Sequence, residues 1–246
     1  MIDIHDYEQR YAGQYAAGTF ETVLVRVRRK VILEALQRYP HATILEVGCG
    51  LEPLFRFVDG AAFTVVEPSP EFARNARRLA GGRDVTVVEG FLEAEAASLA
   101  GRAFDFIVVS SLLHEVSDPG ALLAAVRSLC RAGTTVHFNV PNVRSFHRLL
   151  ALESGLIGDL YEASETERRF QRHTRFDSER LAALLRASGF EILDFATYFI
   201  KPFTHAQMDA LLQSGTCSPE VIDGLDHMTK YFPGMGCEIY ANVRLA

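Results

Sequence analysis

Short apolar runs alternate with amphipathic stretches along the first half of the chain. The apolar runs predict strands over Thr43–Val47, Phe63–Val66, Val85–Val88, Phe104–Val109 and Thr135–Val140. The stretches between them predict helices over Pro53–Val58, Pro70–Ala80 and Glu93–Leu99, and a further helix that begins at Asp118-Pro119. Strands that are apolar on both faces and alternate with helices are typical of a parallel sheet covered on both sides. The carboxyl ends of such strands meet at one edge of the sheet, where ligands bind.

After Pro141 this alternation is interrupted by longer helical stretches. Two more strands are predicted over Phe190–Phe199 and Cys237–Arg244, and helices over Ser145–Leu156, Glu162–Gln171, Ser178–Ser188, Thr204–Ser214 and Pro219–Tyr231. Segments 141–176 and 201–233 are longer than a connection between strands requires, so we expect helical lids over the ligand-binding edge. With a helical N-terminal cap over residues 1–40, the whole chain 1–246 is predicted to form one α/β domain.

The predicted N-terminal helix, Tyr7–Leu36, carries a row of basic side chains. These are Arg26, Arg28, Arg29 and Lys30. A charged row on a helix is typical of a face that contacts solvent, and we interpret it in this way.

Charge and composition exclude several classes of partner. The 246 residues include 25 basic and 31 acidic ones, and the net charge of −6 argues against sequence-independent binding to nucleic acid. The apolar runs are far shorter than the about 20 residues of a membrane-spanning helix, and the N-terminus lacks the features of a signal peptide. The four cysteines are scattered, and no ligand cluster has metal-site spacing. We therefore expect free thiols, no metal and a cytoplasmic protein without nucleic-acid or membrane partners.

The most specific signal is the run Ile44–Gly50, in which an apolar strand carries Glu46 and ends in a Gly-x-Gly turn. Glycine has no Cβ and tolerates positive φ, so the backbone can pass close to a ligand. The next predicted strand is followed directly by another acid, Glu67. An acid at the tip of the second strand is well placed to accept hydrogen bonds from a ribose diol. This pattern predicts a nucleoside-binding, doubly wound domain.

Three segments resemble motifs of the class I S-adenosylmethionine (SAM)-dependent methyltransferases. Leu45–Gly50 is similar to the glycine motif, Val65–Ser69 to the second motif and Phe104–Ser111 to the fourth. The resemblance covers the first five predicted strands and continues more weakly to the C-terminus. It implies a SAM cofactor and a Rossmann-like, seven-stranded doubly wound sheet, whose last strand begins near Gly236 and runs antiparallel.

The resemblance also assigns roles to individual residues. In this family the glycine loop approaches the methionine part of SAM, the acid matching Glu67 holds the ribose hydroxyls, and residues after the third strand line the adenine. The cofactor-binding residues predicted in this way are Glu46, Gly48, Cys49, Gly50, Glu67, Pro68, Gly90, Phe91, Leu92 and Ser110. Phe91 departs from the family pattern, because many members carry an acid there that accepts from the adenine amino group. We expect its ring to pack on the adenine instead.

Two alternatives to a SAM-dependent enzyme remain open at this point. A nicotinamide oxidoreductase usually has Gly-x-Gly-x-x-Gly, and its third glycine allows close helix–strand packing. Pro53 stands at that position here, and Glu52 beside the helix N-terminus disfavours a pyrophosphate. The other alternative is a SAM-fold protein without catalysis that acts as a partner of another protein.

The end of the fourth predicted strand indicates the class of methyl acceptor. Enzymes that methylate nitrogens in nucleic acids and proteins often carry Asn/Asp-Pro-Pro-aromatic there, whereas this chain has Ser110-Ser111-Leu112-Leu113-His114-Glu115. The difference favours a small polar metabolite. The later segment Phe199–Met208 is similar to bacterial enzymes associated with saccharide or secondary-metabolite genes. An imidazole titrates near ~6.5 and can remove a hydroxyl proton, so we predict His114 as general base and O-methylation, with N-methylation of a small molecule as the alternative. The other interpretation of His114 is a structural one, in which its ring packs in the loop or hydrogen-bonds to it.

Further residues are predicted to contact the acceptor. His147 and His205 lie in the predicted lid helices, and His173 lies in a segment that resembles small-molecule and sugar methyltransferases. Arg172 belongs to a cluster of arginines within 168–175. A guanidinium in such a place can bind a carboxylate or a phosphate of the acceptor.

Calorimetric titration with S-adenosylhomocysteine, the demethylated product, tests the cofactor prediction when NADH is titrated in parallel. We expect micromolar binding of S-adenosylhomocysteine and no binding of NADH, because the motif lacks the third glycine that a dinucleotide site requires. A preference for NADH, or no binding of either compound, would contradict the roles assigned to Glu46–Gly50 and Glu67.

Overall fold

One seven-stranded sheet carries the fold, and the computed structural model describes residues 19–162 and 174–246 of the chain. In chain order the strands are β1 (Thr43–Val47), β2 (Ala62–Glu67), β3 (Val85–Glu89), β4 (Phe106–Ser110), β5 (Thr135–Pro141), β6 (Phe190–Tyr198) and β7 (Glu238–Leu245). They lie side by side in the order β3-β2-β1-β4-β5-β7-β6. β1 to β5 pair in parallel, whereas β7 is antiparallel to both β5 and β6. The predicted Rossmann-like sheet with a reversed last strand is confirmed.

The described helices are α1 (Phe20–Leu36), α2 (Pro70–Ala80), α3 (Leu92–Leu99), α4 (Pro119–Leu129), α5 (Phe146–Glu153), α6 (Ser178–Ala187), α7 (His205–Gln213) and α8 (Pro219–His227). Side-chain oxygens of Ser69 and Asp118 accept from the N–H groups of Phe72 and Ala121 at 3.1 and 3.0 Å, so α2 and α4 begin at capped ends. α2 stops at Gly81, which is left-handed with φ 53°. These ends lie where the sequence predicted them.

The connection from β1 to β2 differs from the predicted helix Pro53–Val58. Only a 3₁₀ turn forms there, over Leu54–Arg56, and the residues on either side of it are not helical. Phe55 is buried against Phe63, with ring centroids 6.1 Å apart, so tertiary packing fixes this segment instead of helical periodicity. The predicted helix over Glu162–Gln171 falls, apart from its first residue, outside the described residues. The part of the N-terminal cap before residue 19 lies outside them as well.

The basic row of α1 is not a solvated face along its whole length. Arg28 is only 8% exposed and donates to Glu21 at 2.8 Å and to Glu238 at 2.8 and 3.2 Å. Arg29 donates to Glu52 beside the glycine loop at 2.9 Å. A buried guanidinium is tolerated only with carboxylate partners. The interpretation as a solvent-facing row is therefore wrong for Arg28, because this side of α1 packs against the start of β7.

Alternate side chains of the central strands enter two hydrophobic clusters on opposite faces of the sheet. In β1, Leu45 and Val47 join one cluster and Ile44 joins the other, and β4 repeats the same alternation. This is the two-residue period of a strand. Because both faces are buried, the strands appear in the sequence as continuous apolar runs. A third cluster packs α1 against α7 and α8.

Several sequence-based expectations concern membranes, metals and thiols. The described helices include none with the length and apolarity needed to cross a bilayer. Within residues 19–162 and 174–246, no group of three or more histidine, cysteine or acidic side chains is arranged to hold a metal ion. The cysteines, Cys49, Cys130, Cys217 and Cys237, are free thiols.

The surroundings of Gly236, just before β7, predict that adding a single methyl group there destabilises the fold. A Cβ on this residue would lie 2.4 Å from the backbone N of Tyr198 and 2.5 Å from its O. Backbone atoms cannot move aside without disturbing the β6–β7 pairing, so we predict that Gly236→Ala lowers the free energy of unfolding by roughly 1–3 kcal/mol. Gly101→Ala is the control, because nothing lies within 4 Å of the Cβ that it would add. Urea denaturation measures the difference, and equal midpoints for the two variants would contradict the prediction.

Candidate active site

One carboxylate holds the loop after β1 to the end of β2. Gly48 and Gly50 have positive φ values of 73° and 54°, which glycine adopts without a Cβ clash. The N–H groups of Cys49 and Gly50 donate to Oε2 of Glu67 at 2.9 and 3.2 Å, and the N–H of Ser69 donates to Oε1 at 2.9 Å. Glu67 thereby fixes both the glycine loop and the start of α2.

A second buried acid, Glu46, lies beneath the same loop. Glu46 is 7% exposed and Glu67 is 4% exposed. Burial raises the pKa of Glu46 to about 8, and the negative charge of Glu67 also raises it, although the N–H of Leu54 opposes the shift by donating to the Glu46 carboxyl at 3.0 Å. Burial raises the pKa of Glu67 as well. Glu46 is therefore largely protonated at neutral pH, and the loop carries less negative charge than the sequence suggests.

A cleft, here called the edge cleft, opens where β1, β2 and β4 end. The predicted cofactor residues that line it are Gly48, Gly50, Glu67, Pro68, Gly90, Phe91, Leu92 and Ser110. The remaining two, Glu46 and Cys49, line an adjoining cavity together with Arg28 and Arg29. The two spaces share the glycine loop and the end of β4. The structure thus brings every predicted cofactor residue to one edge of the sheet.

The chain is strained immediately after β4. Ser111 has φ 56°, a left-handed conformation that costs a non-glycine residue roughly 1–2 kcal/mol. Its N–H donates to the backbone O of Asn139 at 3.0 Å and to Oδ1 of the same residue at 2.9 Å. The Ser110 hydroxyl also pairs with the Asn139 amide, at 2.9 and 3.2 Å. Asn139 of β5 therefore holds the wall that separates the edge cleft from the adjoining cavity.

A buried chain of hydrogen bonds continues from Asn139 across the sheet. The Asn139 amide lies 3.3 Å from Nε2 of His137, and Nδ1 of His137 lies 2.8 Å from Oδ1 of Asn242. Asn242 donates to Asp194 at 3.2 Å, and Asp194 pairs with Arg38 at 2.5 Å. Burial lowers the pKa of His137 to about 4, so the ring is neutral. The hydrogen-bond partners of the His137 ring place its proton on Nδ1, because Nε2 must accept from the Asn139 amide.

His114 lies on the turn after β4, between the edge cleft and a larger cavity. It is 2% exposed, and its backbone O accepts from the N–H of Thr174 at 3.3 Å. Its Nε2 lies 3.5 Å from Oε1 of Glu115. His114 lines the larger cavity, whereas Glu115 lines the edge cleft. The adjacent pair therefore stands at the boundary between the two spaces.

The larger cavity, here called the lid cavity, has a volume of about 430 Å³. Its walls come from α1, the end of β5, α5, the residues before α6 and α7, and the start of β7. It brings together His114, His147 and His205, which the sequence analysis selected separately. The volume lies in the range of small-molecule sites. Arg172 and His173 lie outside the described residues, so their roles stay predictions.

His147 and His205 are neutral in the lid cavity. Burial and the positive charges of Lys201 and Arg148 lower the pKa of His147 well below its usual value. Burial and Lys201 also lower the pKa of His205. Nδ1 of His147 lies 3.0 Å from the hydroxyl of Ser145, which orients its ring. Both rings can therefore donate or accept hydrogen bonds without carrying charge.

Sequence reasoning missed Arg28, Arg148 and Lys201 at this site. Glu21 and Arg28 are seven positions apart and share one face of α1, which is a signal that could have suggested a pair. The second carboxylate partner of Arg28 is 210 positions away, and no local pattern reveals it. Lys201 and Arg148 carry no motif of their own, so only the fold shows that they line a common cavity.

Residues 21–194 match a family described as a methyltransferase domain. The chain belongs to this family. This membership confirms the predicted methyltransferase activity with SAM as cofactor, and it contradicts the nicotinamide alternative. Proteins of one fold act on different acceptors, so the acceptor has to be inferred from the site itself.

Individual relatives of this methyltransferase act on different compounds. It is 28% identical over 169 residues to a ubiquinone biosynthesis O-methyltransferase from Xanthomonas axonopodis pv. citri, covering 66% of this chain and 68% of that protein. A solved SAM-dependent methyltransferase from Thermotoga maritima, named as a possible histamine N-methyltransferase, has a TM-score of 0.61 and 20% identity, with 98% of each chain covered. The 1,6-didemethyltoxoflavin-N1-methyltransferase of Burkholderia thailandensis has a TM-score of 0.53 and 19% identity, covering 89% of this chain and 76% of that one. At these identities the two solved structures show a shared fold.

The buried Glu46 predicts how the stability of this methyltransferase varies with pH. Its carboxyl has a pKa of about 8 in the folded state and 4.5 as its ordinary value, so the folded state binds more protons between these limits. The free energy of unfolding should therefore fall as the pH rises from about 5 to about 8. In Glu46→Gln, which keeps the shape but cannot ionise, we expect part of this fall to disappear. Glu34→Gln, on the exposed side of α1, should keep it.

Thermal unfolding midpoints between about pH 5 and pH 8 measure this effect. The same pH dependence in Glu46→Gln and the wild type would contradict the prediction, and Glu34→Gln controls for the loss of a carboxyl group elsewhere on the protein.

Proposed function

We propose that this enzyme transfers the methyl group of SAM to a hydroxyl oxygen of a small polar metabolite, of the sugar or secondary-metabolite type. The position of His114 carries the proposal. Its side chain lines the lid cavity, while the neighbouring Glu115 lines the edge cleft. A hydroxyl must lose its proton to become a good nucleophile, so a base is needed where the two spaces meet.

The edge cleft and the adjoining cavity suit SAM better than a phosphate-bearing cofactor. The N–H groups of Cys49 and Gly50 already donate to the Glu67 carboxyl, so the glycine loop does not offer them to a pyrophosphate. We assign the methionine carboxylate to the cations of the adjoining cavity, Arg28 and Arg29, and the ribose to Glu67, whose oxygens can accept further hydrogen bonds. The adenine is assigned to the wall formed by Gly90–Leu92. When bound, SAM supplies an electrophilic methyl group on a sulfonium.

The protein's own residues then position and deprotonate the acceptor. Methyl transfer is an in-line displacement, so its rate depends mainly on orientation and on the exclusion of water. His114, 2% exposed, lies in the wall of the lid cavity. Its imidazole accepts the hydroxyl proton, and the Glu115 carboxylate, 3.5 Å from Nε2, stabilises the resulting cation.

Segments 141–176 and 201–233 are proposed as lids of one domain, and residues 1–40 as its N-terminal cap. Each contributes described residues to the lid cavity, with His147 in the first segment and His205 in the second. A site built from such segments can admit an acceptor and close over it. A cytoplasmic location stays a prediction.

The relatives support different methylated atoms. The similarity to a ubiquinone biosynthesis O-methyltransferase favours oxygen, whereas of the two solved structures one is named as an N1-methyltransferase and the other as a possible N-methyltransferase. Nitrogen is therefore the second candidate. A neutral amine attacks without losing a proton first, so an N-methyltransferase would not need His114 as a base.

Replacement of His114 tests the proposed reaction. Hydroxylated and amino metabolites are screened for SAM-dependent methylation, and the methylated atom of each product is determined by NMR. With the acceptor found, we expect His114→Asn to lower kcat by about 10²–10⁴-fold and to remove the rise of kcat with pH. S-adenosylhomocysteine affinity should not change. His227→Asn, on an exposed side chain of α8, is the control. Methylation at nitrogen, or an unchanged pH profile in His114→Asn, would contradict O-methylation with His114 as base.

A further inference from the structure

The turn after β4 keeps a serine in a conformation that favours glycine. In the described chain, the non-glycine residues with positive φ are Ser111, at 56°, and Phe199, at 57°. A left-handed serine returns to negative φ unless contacts hold it, because its Cβ approaches the following carbonyl oxygen. Strained residues of this kind cluster at binding sites, where the surrounding structure holds them in place. The conformation of Ser111 therefore depends on contacts from a neighbouring element.

Asn139 on β5 supplies contacts that hold Ser111. The register of the parallel β4–β5 pair places Ser110 beside Asn139, so the turn begins next to this side chain. The N–H of Ser111 donates to the backbone O of Asn139 at 3.0 Å and to its Oδ1 at 2.9 Å. The Asn139 amide also donates to the Ser110 hydroxyl at 2.9 Å. Truncation of this side chain would therefore leave the backbone contact and remove both side-chain contacts.

His137, two residues earlier on β5, fixes the direction in which the Asn139 amide points. Burial lowers the pKa of His137 to about 4, so its ring is neutral. On β7, Asn242 donates to Asp194 at 3.2 Å, which turns its Oδ1 toward Nδ1 of His137, 2.8 Å away. Nδ1 therefore carries the proton, and Nε2 accepts from the NH₂ group of Asn139 at 3.3 Å. The amide oxygen of Asn139 then faces Ser111.

The turn shapes the space for the cofactor in two ways. Ser110 and Ser111 line both the edge cleft and the adjoining cavity. The next side chain, Leu112, packs on the glycine loop, because a Cβ on Gly48 would lie 3.6 and 3.8 Å from its two terminal methyl carbons. A change of φ at Ser111 would redirect the chain at Leu112 and alter this wall. The left-handed conformation therefore sets the shape of the cofactor site.

We propose that Asn139 is a positioning residue for SAM, which holds the turn at Ser111 in the shape that the cofactor requires. Asn139 acts through Ser110, Ser111 and Leu112, which line the edge cleft, and His137 keeps its amide in the required orientation. The inference concerns the cofactor alone. It therefore holds whichever acceptor atom is methylated, and it does not rest on the base assigned in the proposed function.

A double-mutant cycle between Asn139→Ala and Ser111→Gly tests the proposal, with the affinity for S-adenosylhomocysteine measured by calorimetry. In the wild-type background we expect Asn139→Ala to weaken binding about 10-fold, because the serine leaves the left-handed region in the free protein. In the Ser111→Gly background the same change should weaken binding about 2-fold or less, because glycine adopts positive φ without strain. Urea midpoints of all four proteins, measured in parallel, show that each is folded under the conditions of the titration.

Thr134→Val is the matched control. Thr134, just before β5, is buried, and its hydroxyl donates to the backbone O of Phe104 at 2.7 Å. The variant therefore loses a buried hydrogen bond near the other end of the strand, and it should lower the urea midpoint without changing S-adenosylhomocysteine affinity. If Asn139→Ala does not fold, Asn139→Ser takes its place in the cycle, since its hydroxyl ends one bond short of the position of Oδ1.

The cycle decides whether Asn139 acts through the turn. A loss of affinity that is confined to the wild-type background supports the positioning role. An equal loss in the two backgrounds would overturn it, because Asn139 would then affect binding by a route other than Ser111. Unchanged affinity in the Asn139 variant, or an equal loss in Thr134→Val, would also overturn it, since the residue would then contribute only to general stability.

Discussion

The hydrogen bonds accepted by the Glu67 carboxylate are the constraint on which the rest of the site depends. Three backbone N–H groups, from Cys49, Gly50 and Ser69, converge on its two oxygens. A buried N–H without an acceptor costs about 1–3 kcal/mol, so the loop, the end of β2 and the start of α2 are stabilised together. The same carboxylate is the group to which we assign the ribose. Its structural and binding roles therefore share the same atoms, and a substitution at this position affects both.

The edge cleft and the lid cavity meet at the end of β4, and their linings differ. On one side, the parallel strands β1, β2 and β4 supply the edge cleft, whose lining is mostly apolar. On the other side, α1, α5 and the start of β7 supply the charged lid cavity. Asn139 holds the strained Ser111 between the edge cleft and the adjoining cavity, and it also begins the buried chain through His137 to Asn242. We assign the cofactor, which a family has in common, to the cleft, and the acceptor, which differs between enzymes of one fold, to the cavity.

The features that depend on residues close together in the chain could be predicted from the sequence. The strands are continuous apolar runs because both sheet faces are buried, and Gly48–Gly50 and Glu67 lie within short motifs, so the sheet and the edge cleft could be anticipated. The lid cavity could be anticipated only in part. His114, His147 and His205 were selected by residue type, but Arg28 depends on Glu238 far along the chain, and the positive φ of Phe199 has no sequence signal. The predicted helix at Pro53–Val58 failed because packing of Phe55 overrides local propensity.

Because β7 lies between β5 and β6, the site forms in two stages as the chain is synthesised. β7 is synthesised after every other strand of the sheet, yet it lies inside the sheet and not at its margin. While the nascent chain is still short of Glu238–Leu245, the parallel strands that carry the glycine loop can already pair with each other. β5 and β6 meanwhile expose open edges, which invite pairing with other chains. His137 then lacks Asn242, and Arg28 lacks Glu238. The half to which we assign the cofactor can therefore form before β7 is made, whereas the half to which we assign the acceptor is complete only after β7 has closed the sheet.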